Sequence, residues 1–196
     1  MRWLPPALLA LLCAGCFTSS APAPKSWTVE PSAKQPQGQS PEGGNPAFVT
    51  TRMGGISVCA PYDRTSFVVR RADGSVAFDA YNEFAASPST LLRSPVMKQL
   101  SSDGRFGRVV SPSSVAGADA AVEVLVRDLS IDCRDSGKRT ARAAVSVDVV
   151  KTGRGARTVA LSGDGDSAAD ASSGDFSMAF SAAFNEALAA ALRDLK

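Results

Sequence analysis

Apolar side chains at every second position predict half-buried strands in the first part of the folded region. This alternation covers residues 56–60, and two more apolar runs, 67–70 and 76–78, flank the pair Asp73-Gly74. An Asp-Gly pair between two apolar runs is typical of a β-hairpin. The pattern therefore predicts three strands, of which the second and third form a hairpin.

A helix is predicted after Pro88, where apolar residues recur near helical spacing until the turn-forming residues 101–104. Its apolar positions are Leu91, Leu92, Val96 and Leu100. Pro95 lies inside this pattern, and a proline cannot donate the backbone hydrogen bond that continues a helix. We therefore expect a kink in this helix at Pro95.

About four more strands are predicted between residues 109 and 161. Val122, Val124 and Val126 share one parity, whereas Leu129, Ile131 and Cys133 share the other, and this switch predicts a β-bulge near Arg127-Asp128. A turn at 135–137 leads into clean alternation over 141–149, and Val159 and Leu161 continue the meander after the glycines of 153–155.

The C-terminal residues predict an amphipathic helix capped by Ser173 or Asp175. Its apolar stripe consists of Phe176, Phe180, Phe184, Leu188, Leu192 and Leu195. We expect its phenylalanines to make the largest contribution to the core. The order of elements then predicts a single α+β domain with an antiparallel or mixed sheet and two helices packed on one face.

The first residues have the features of a lipoprotein signal peptide. Arg2 precedes the apolar run 4–12, which is too short to span a bilayer, and residues 13–16 have the sequence Cys-Ala-Gly-Cys. This motif resembles a lipobox, although Cys13 stands where leucine is usual. We expect cleavage of residues 1–15 and a diacylglycerol group on Cys16. The alternative is an ordinary secretory signal that happens to contain cysteines.

Residues 16–47 predict a disordered, lipidated tether, because they are rich in Pro, Ser, Gln, Ala and Gly and contain scarcely any apolar residue to bury. The folded domain is then 48–196, a suitable length for one hydrophobic core. Phe17 follows the lipidated cysteine, and the absence of aspartate there favours the outer membrane by the enteric sorting rule.

Composition excludes several classes of function. Loss of Arg2 with the signal peptide leaves a nearly neutral chain, since the full sequence has 21 basic and 19 acidic residues, and this argues against binding to nucleic acid. The sequence contains no histidine, the commonest general base and metal ligand. We expect no catalytic residues, no metal site and no cofactor.

Cys59 and Cys133 are the two thiols left in the mature chain once Cys16 is lipidated. An even pair in an oxidising compartment predicts one disulfide between them. The alternative is two separate buried cysteines, because spacing along the chain does not show that they meet.

An acidic segment, 164–170, carries Asp164, Asp166 and Asp170. It is faintly similar to a calcium-binding loop but has alanine where such a loop needs a ligand and a glycine. The preferred interpretation is a solvated turn that leads to the N-terminus of the last helix.

Three short motifs, in their order along the chain, resemble the ABC-type transport auxiliary lipoproteins that accompany MCE-domain proteins. They are Ala-Pro-Tyr-Asp-Arg at 60–64, Phe-Val-Val-Arg-Arg at 67–71, and Tyr-Asn-Glu-Phe-Ala-Ala-Ser-Pro at 81–88, which leads into a helix. The family often has a Trp-Ala-x-Pro run at the last place, and here the tryptophan is missing.

The resemblance implies a non-enzymatic component that faces the periplasm, docks onto the tunnel of an MCE-domain protein and helps lipid to pass between membranes. It also implies an oligomeric collar at the tunnel mouth, with energy supplied by a separate ATPase. A second hypothesis is a structural or assembly lipoprotein that braces an outer-membrane machine. A third is a hydrolase that uses serine or aspartate without histidine.

Overall fold

The computed structural model describes residues 22–32, 46–153 and 156–196, in which eight strands form one mixed sheet. The predicted α+β class is confirmed, and the sheet is mixed rather than purely antiparallel. The elements in chain order are β1 (Lys25–Trp27), β2 (Phe48–Val58), β3 (Ser66–Arg71), β4 (Val76–Phe84), α1 (Pro88–Leu91), α2 (Arg93–Ser102), β5 (Phe106–Val110), β6 (Ala120–Cys133), β7 (Thr140–Gly153), β8 (Ala156–Asp170) and α3 (Phe176–Asp194).

Strand β6 organises the sheet because three strands pair with it. One edge of β6 pairs with β7 in antiparallel fashion, and β8 follows β7. The other edge pairs in parallel with β2 along its first half and with β3 along its second half. Strand β5 lies beyond β2, whereas β4 and then β1 lie beyond β3. The sheet therefore divides on this side of β6.

The predicted bulge in β6 is confirmed. The register of β6 against β7 shifts between Val126 and Asp128. An extra residue in one strand reverses the parity of everything after it. Val126, Leu129 and Ile131 are consequently all buried, so both halves of β6 direct their apolar side chains to one core.

The break in the first helix agrees with the predicted effect of Pro95. Helix α1 ends at Leu91, Leu92 separates it from α2, and Pro95 is the third residue of α2. Leu91 is four residues before Pro95, and a proline ring clashes with the carbonyl at that distance and cannot donate to it. The break therefore falls where the proline removes the hydrogen bond.

The phenylalanine stripe of α3 lies in the core, as predicted. Phe180 packs on Phe67 and on Phe84 with ring centroids 5.0 Å apart in both pairs, and Phe67 and Phe84 are 4.7 Å apart. Asp175 caps the helix, since its carboxylate accepts from the backbone N–H of Met178 at 3.0 Å. Aromatic pairs of this kind contribute about 0.5–1.5 kcal/mol each beyond the area that they bury.

Strand β8 is much longer than predicted and includes the acidic segment 164–170, so the interpretation of that segment as a turn was wrong. Gly163 and Gly165 point towards α3, and Asp164 and Asp166 are exposed on the other face of the strand. A Cβ atom at Gly163 or Gly165 would lie 2.1 Å from a backbone carbonyl oxygen of α3. The helix packs directly on the strand backbone, and this explains why glycines rather than apolar side chains occupy the middle of the inner face of β8.

The tether prediction fails for residues 22–32, which fold against the domain. Strand β1 pairs in parallel with the end of β4, and the ring of Trp27 packs on Phe176 at 5.4 Å between centroids. Val29 is 5% exposed. The aromatic ring of Trp27 and the apolar side chain of Val29 were the signals that the composition of the segment obscured.

Three polar residues of α3 fasten this N-terminal segment. Ser177 Oγ donates to the carbonyl of Thr28 at 2.9 Å, and the N–H of Glu30 donates to Ser181 Oγ at 2.7 Å. Asn185 Nδ2 donates to the carbonyl of Glu30 at 2.8 Å. Residues four apart share one face of a helix, so these side chains form a ladder under the segment. We call residues 25–30 the strap.

The close approach of α3 to β8 predicts an asymmetric response to methyl groups. Gly165→Ala places a Cβ atom against the carbonyl of Ala187 and should lower the free energy of unfolding by about 1–3 kcal/mol, the usual cost of overpacking a core. Gly55→Ala is the matched control, because a Cβ atom there has no neighbour within 4 Å. Urea denaturation measures both, and equal midpoints for the two variants would contradict the packing.

Candidate docking surface

The sheet face directed away from α3 carries many charged and hydroxyl side chains. Side chains alternate between the two faces of a strand, and Gly163 and Gly165 face α3, so Asp164 lies on the opposite face. The strand register brings polar residues of β3, β6, β7 and β8 to that same face. We call this surface the polar face, and it comprises Tyr62, Arg70, Arg127, Asp128, Ser130, Asp132, Arg134, Arg142, Ser146 and Asp164.

Arg70 is the centre of the first cluster on the polar face. Its Nη2 atom donates to Asp128 Oδ2 at 2.9 Å and also to the hydroxyl of Tyr62, and its Nε atom donates to Ser130 Oγ at 3.3 Å. Ser130 in turn donates to Asp128 Oδ1 at 2.7 Å. Burial, and next the charge of Asp128, raise the pKa of the Tyr62 phenol above its usual value. The cluster links β3 to β6 just after the bulge.

Asp132 is the centre of a second cluster, at the end of the β6–β7 hairpin. Its Oδ2 atom accepts from Arg134 at 2.6 Å and from Arg142 at 3.2 Å, and its side chain is 11% exposed. The hydrogen bond from Arg134 is the main cause that holds the pKa of Asp132 well below its usual range, although burial acts in the opposite direction. These residues, with Asp135 and Thr140, line an open cleft of about 490 Å³.

A third group lies where the bulge projects Arg127 from β6. Arg127 Nη2 is 3.2 Å from Asp164 Oδ1, and Ser146 Oγ donates to the same oxygen at 2.5 Å. The two charged side chains are 43% and 66% exposed. Ion pairs this exposed contribute only about 0–1 kcal/mol to stability, so these charges are available for contact with another molecule at little cost to the fold.

The arrangement suits recognition by charge pattern. Arginines and aspartates alternate across the polar face, and a partner with the complementary pattern gains specificity and a faster encounter. Within 22–32, 46–153 and 156–196, no group of three or more His, Cys, Asp or Glu side chains is placed to hold a metal ion. The aspartates of β8 that suggested a calcium loop lie along an extended strand.

The predicted disulfide is not supported by the structure, in which Cys59 and Cys133 are both free thiols. The backbone N–H of Cys59 bonds to the carbonyl of Val126 at 2.9 Å. Cys133 lies seven residues further along β6, which corresponds to roughly 20 Å at the rise of a strand. A disulfide requires Cα atoms within about 7 Å. Cys16, the predicted lipidation site, lies outside the described residues.

The model of the ABC-type transport auxiliary lipoprotein component family matches residues 31–195. The chain belongs to this family. The resemblance found in the three motifs is thereby confirmed, and the match covers nearly the whole domain. An ABC-type transport auxiliary lipoprotein is a component of the cell envelope that is associated with an ABC-type transport system.

One solved structure shows the same fold. The crystal structure of protein XCC0632 from Xanthomonas campestris, described as a DUF330 family protein, aligns with a TM-score of 0.55 and 20% identity over 85% of this chain and 87% of that one. A crystal structure of an uncharacterized protein aligns with a TM-score of 0.46 and 14% identity over 74% and 81% of the two chains. No curated protein matches this auxiliary lipoprotein.

No helix in the described part of the auxiliary lipoprotein is long and apolar enough to cross a membrane. Helix α3, at 19 residues, is the longest in that part, and its apolar stripe is used in the core.

Asp132 should give a pH-dependent contribution to stability. Its pKa is lowered in the folded state, so the contribution is complete above the unfolded-state pKa, near pH 4, and is lost as the pH falls below that value. Asp132→Asn should lower the free energy of unfolding by about 2 kcal/mol at pH 7. Its difference from the unmodified protein should shrink below about pH 4. Urea denaturation across this pH range tests both points.

Asp166→Asn is the control for this series, because Asp166 is an exposed carboxylate on β8. It should leave the stability at pH 7 nearly unchanged. If the two variants lose the same stability, the argument from the arginine contacts of Asp132 fails.

The separation of Cys59 and Cys133 predicts two unpaired thiols. Non-reducing mass spectrometry of the exported protein after alkylation should show both cysteines modified, with no linked peptide. A peptide that joins Cys59 to Cys133 would contradict the register of β2 and β6.

Proposed function

We propose that this protein is a lipid-anchored accessory subunit of an ABC-type system that moves lipid between membranes, and that it docks onto an MCE-domain protein of that system. The observation that carries the proposal is the family match over residues 31–195. Its role is non-enzymatic: the protein binds and positions other components, and copies of it form a collar at the tunnel mouth. The energy for transport comes from a separate ATPase.

The anchor in this proposal is the diacylglycerol group on Cys16, which is added to the thiol before residues 1–15 are removed. Acyl chains contribute about 0.8 kcal/mol per buried CH₂ group, so the lipid itself supplies the membrane affinity. We place the protein on the periplasmic side of the outer membrane, because aspartate is absent from the position after Cys16.

The polar face is the surface that we propose for docking. It presents charges of both signs in fixed positions, and the exposed pair of Arg127 and Asp164 contributes little to the fold. Packed, ion-paired side chains such as those around Asp132 and Arg70 do not have to be ordered on binding, which lowers the entropic cost of association.

Charge reversal at the bulge tests this docking. Arg127→Glu should reduce recovery of the MCE-domain protein about tenfold, corresponding to about 1.4 kcal/mol, when tagged, lipidated protein is co-purified from gently solubilised envelopes. Arg193→Glu is the matched control, since Arg193 is also an exposed arginine in a surface ion pair, with Glu186 on α3. It should leave recovery unchanged.

Two results would contradict the proposal. If both variants lose recovery of the MCE-domain protein equally, the polar face is not part of the interface. Recovery of only outer-membrane assembly machinery by the unmodified protein would favour the structural or assembly lipoprotein instead.

A further inference from the structure

Strand β4 carries an unusual concentration of exposed apolar side chains. Val76 is 51% exposed, Phe78 49% and Tyr81 56%. The other large hydrophobic side chains that are exposed in the described residues, Val49, Val115, Leu125 and Met178, are spread over four other parts of the fold. Scattered apolar residues need no explanation, but three within six positions of one strand indicate a contact surface. We call residues 76–81 the β4 edge.

The outer side of the β4 edge has no partner strand among the described residues. Strand β1 pairs only with Asn82, Glu83 and Phe84, at the far end of β4, and β3 occupies the other side. Asp79 Oδ1 accepts from the N–H groups of Tyr81 and Asn82, which turns the strand locally and satisfies two donors. The edge is open to another molecule along the rest of its length.

The chain leaves the domain beside this edge on its way to Cys16. Strand β1 is parallel to β4, with Lys25 level with Asn82. The N-terminal end of β1 therefore points along β4 in the direction of Tyr81 and Phe78. Cys16 is six residues before Pro22, so it can be at most about 20 Å from the point where the described segment begins. A lipid on Cys16 brings the bilayer to this side of the domain.

The strap prevents the exit point from moving relative to the β4 edge. Its backbone is bonded to the polar ladder of α3, and the ring of Trp27 packs on the ring of Phe176 with the two planes nearly perpendicular. Trp27 Nε1 also donates to Asn82 Oδ1 at 3.0 Å. The strap and the β4 edge consequently form one rigid unit.

The side chains of the β4 edge suit the interface between headgroups and acyl chains. The guanidinium of Arg64 lies over the ring of Phe78, with its Cζ atom 3.8 Å from the centroid. Tyrosine and arginine each combine an apolar body with a polar end, and such side chains are favoured at this depth. The charges near the β4 edge balance: the three basic residues Lys25, Arg64 and Arg71 are offset by Asp63, Asp73 and Asp79. Apolar contact rather than net positive charge must therefore drive association with a membrane.

We propose that Val76, Phe78 and Tyr81 rest on the membrane that holds the lipid of Cys16, and that this contact sets the orientation of the domain. The proposal depends on the lipid anchor of the proposed function. The other possible occupant of an open strand edge is a strand of a partner protein, and the experiment distinguishes the two.

The test uses the full-length lipidated protein reconstituted into phosphatidylcholine vesicles, with and without bromine atoms on the acyl chains near the headgroup. The mature chain has one tryptophan, Trp27, and Phe78→Trp introduces a second one on the β4 edge. Val115→Trp is the matched control, because Val115 is fully exposed but lies in another part of the fold. Val115 precedes the start of β6, whereas the β4 edge lies beside β3, which pairs with the end of β6. Tyr81→Trp is a second probe of the edge.

The tryptophans at 78 and 81 should be quenched by brominated lipid at least about three times as strongly as the one at 115, because they lie at the depth of the headgroup and acyl boundary. They should respond equally in neutral and anionic vesicles. Equal quenching at all three positions would overturn the orientation.

Flotation of the vesicles separates this inference from the proposed function. Protein that floats while positions 78 and 81 remain unquenched retains the anchor and overturns the membrane contact. Protein that does not float refutes the anchor and the contact together. A third outcome would also contradict the proposal. If the tryptophan at position 78 becomes shielded from water only after the co-purified transport proteins are added, the β4 edge contacts a protein partner.

Discussion

Helix α3 touches the backbone of β8 at Gly163 and Gly165, and the rest of the domain is arranged around this contact. The helix presents Ala187 and Ala191 at the approach, and both are completely buried. Because no side chain separates helix and strand there, the phenylalanines on the same helix reach across to Phe67 and Phe84 on β3 and β4. One short contact thus determines how deeply the aromatic stripe enters the core.

The same helix joins two other parts of the chain. Its polar ladder holds the backbone of the strap, and the carbonyl of Asn185 accepts from Gln99 Nε2 of α2 at 3.3 Å. Helix α3 therefore contacts the strap, the sheet and α2 at once. The polar face lies on the opposite side of the sheet, so its charges can change without altering these contacts.

Local patterns in the sequence predicted the elements that depend on local chemistry. The parity switch in β6 located the bulge, Pro95 located the helix break, and the phenylalanine spacing located α3. They did not predict that β2 and β3 share one edge of β6, because parallel pairing between distant segments leaves no local signal. The ion pair of Arg70 with Asp128 depends on that pairing. So does the distance between Cys59 and Cys133, which their spacing along the chain did not reveal. The acidic segment 164–170 was mistaken for a turn because β8 has glycines, which allow close packing, where a strand usually shows apolar side chains.

The parallel pairing of the strap with β4 has a mechanical consequence. Tension applied at Pro22 from the direction of the N-terminus acts along the axis of β1, parallel to β4. The three paired residues of β1 and the three bonds to α3 then resist sliding together, instead of separating one after another. A strand of only three residues can thereby transmit a pulling force to the sheet and to the longest helix of the described fold.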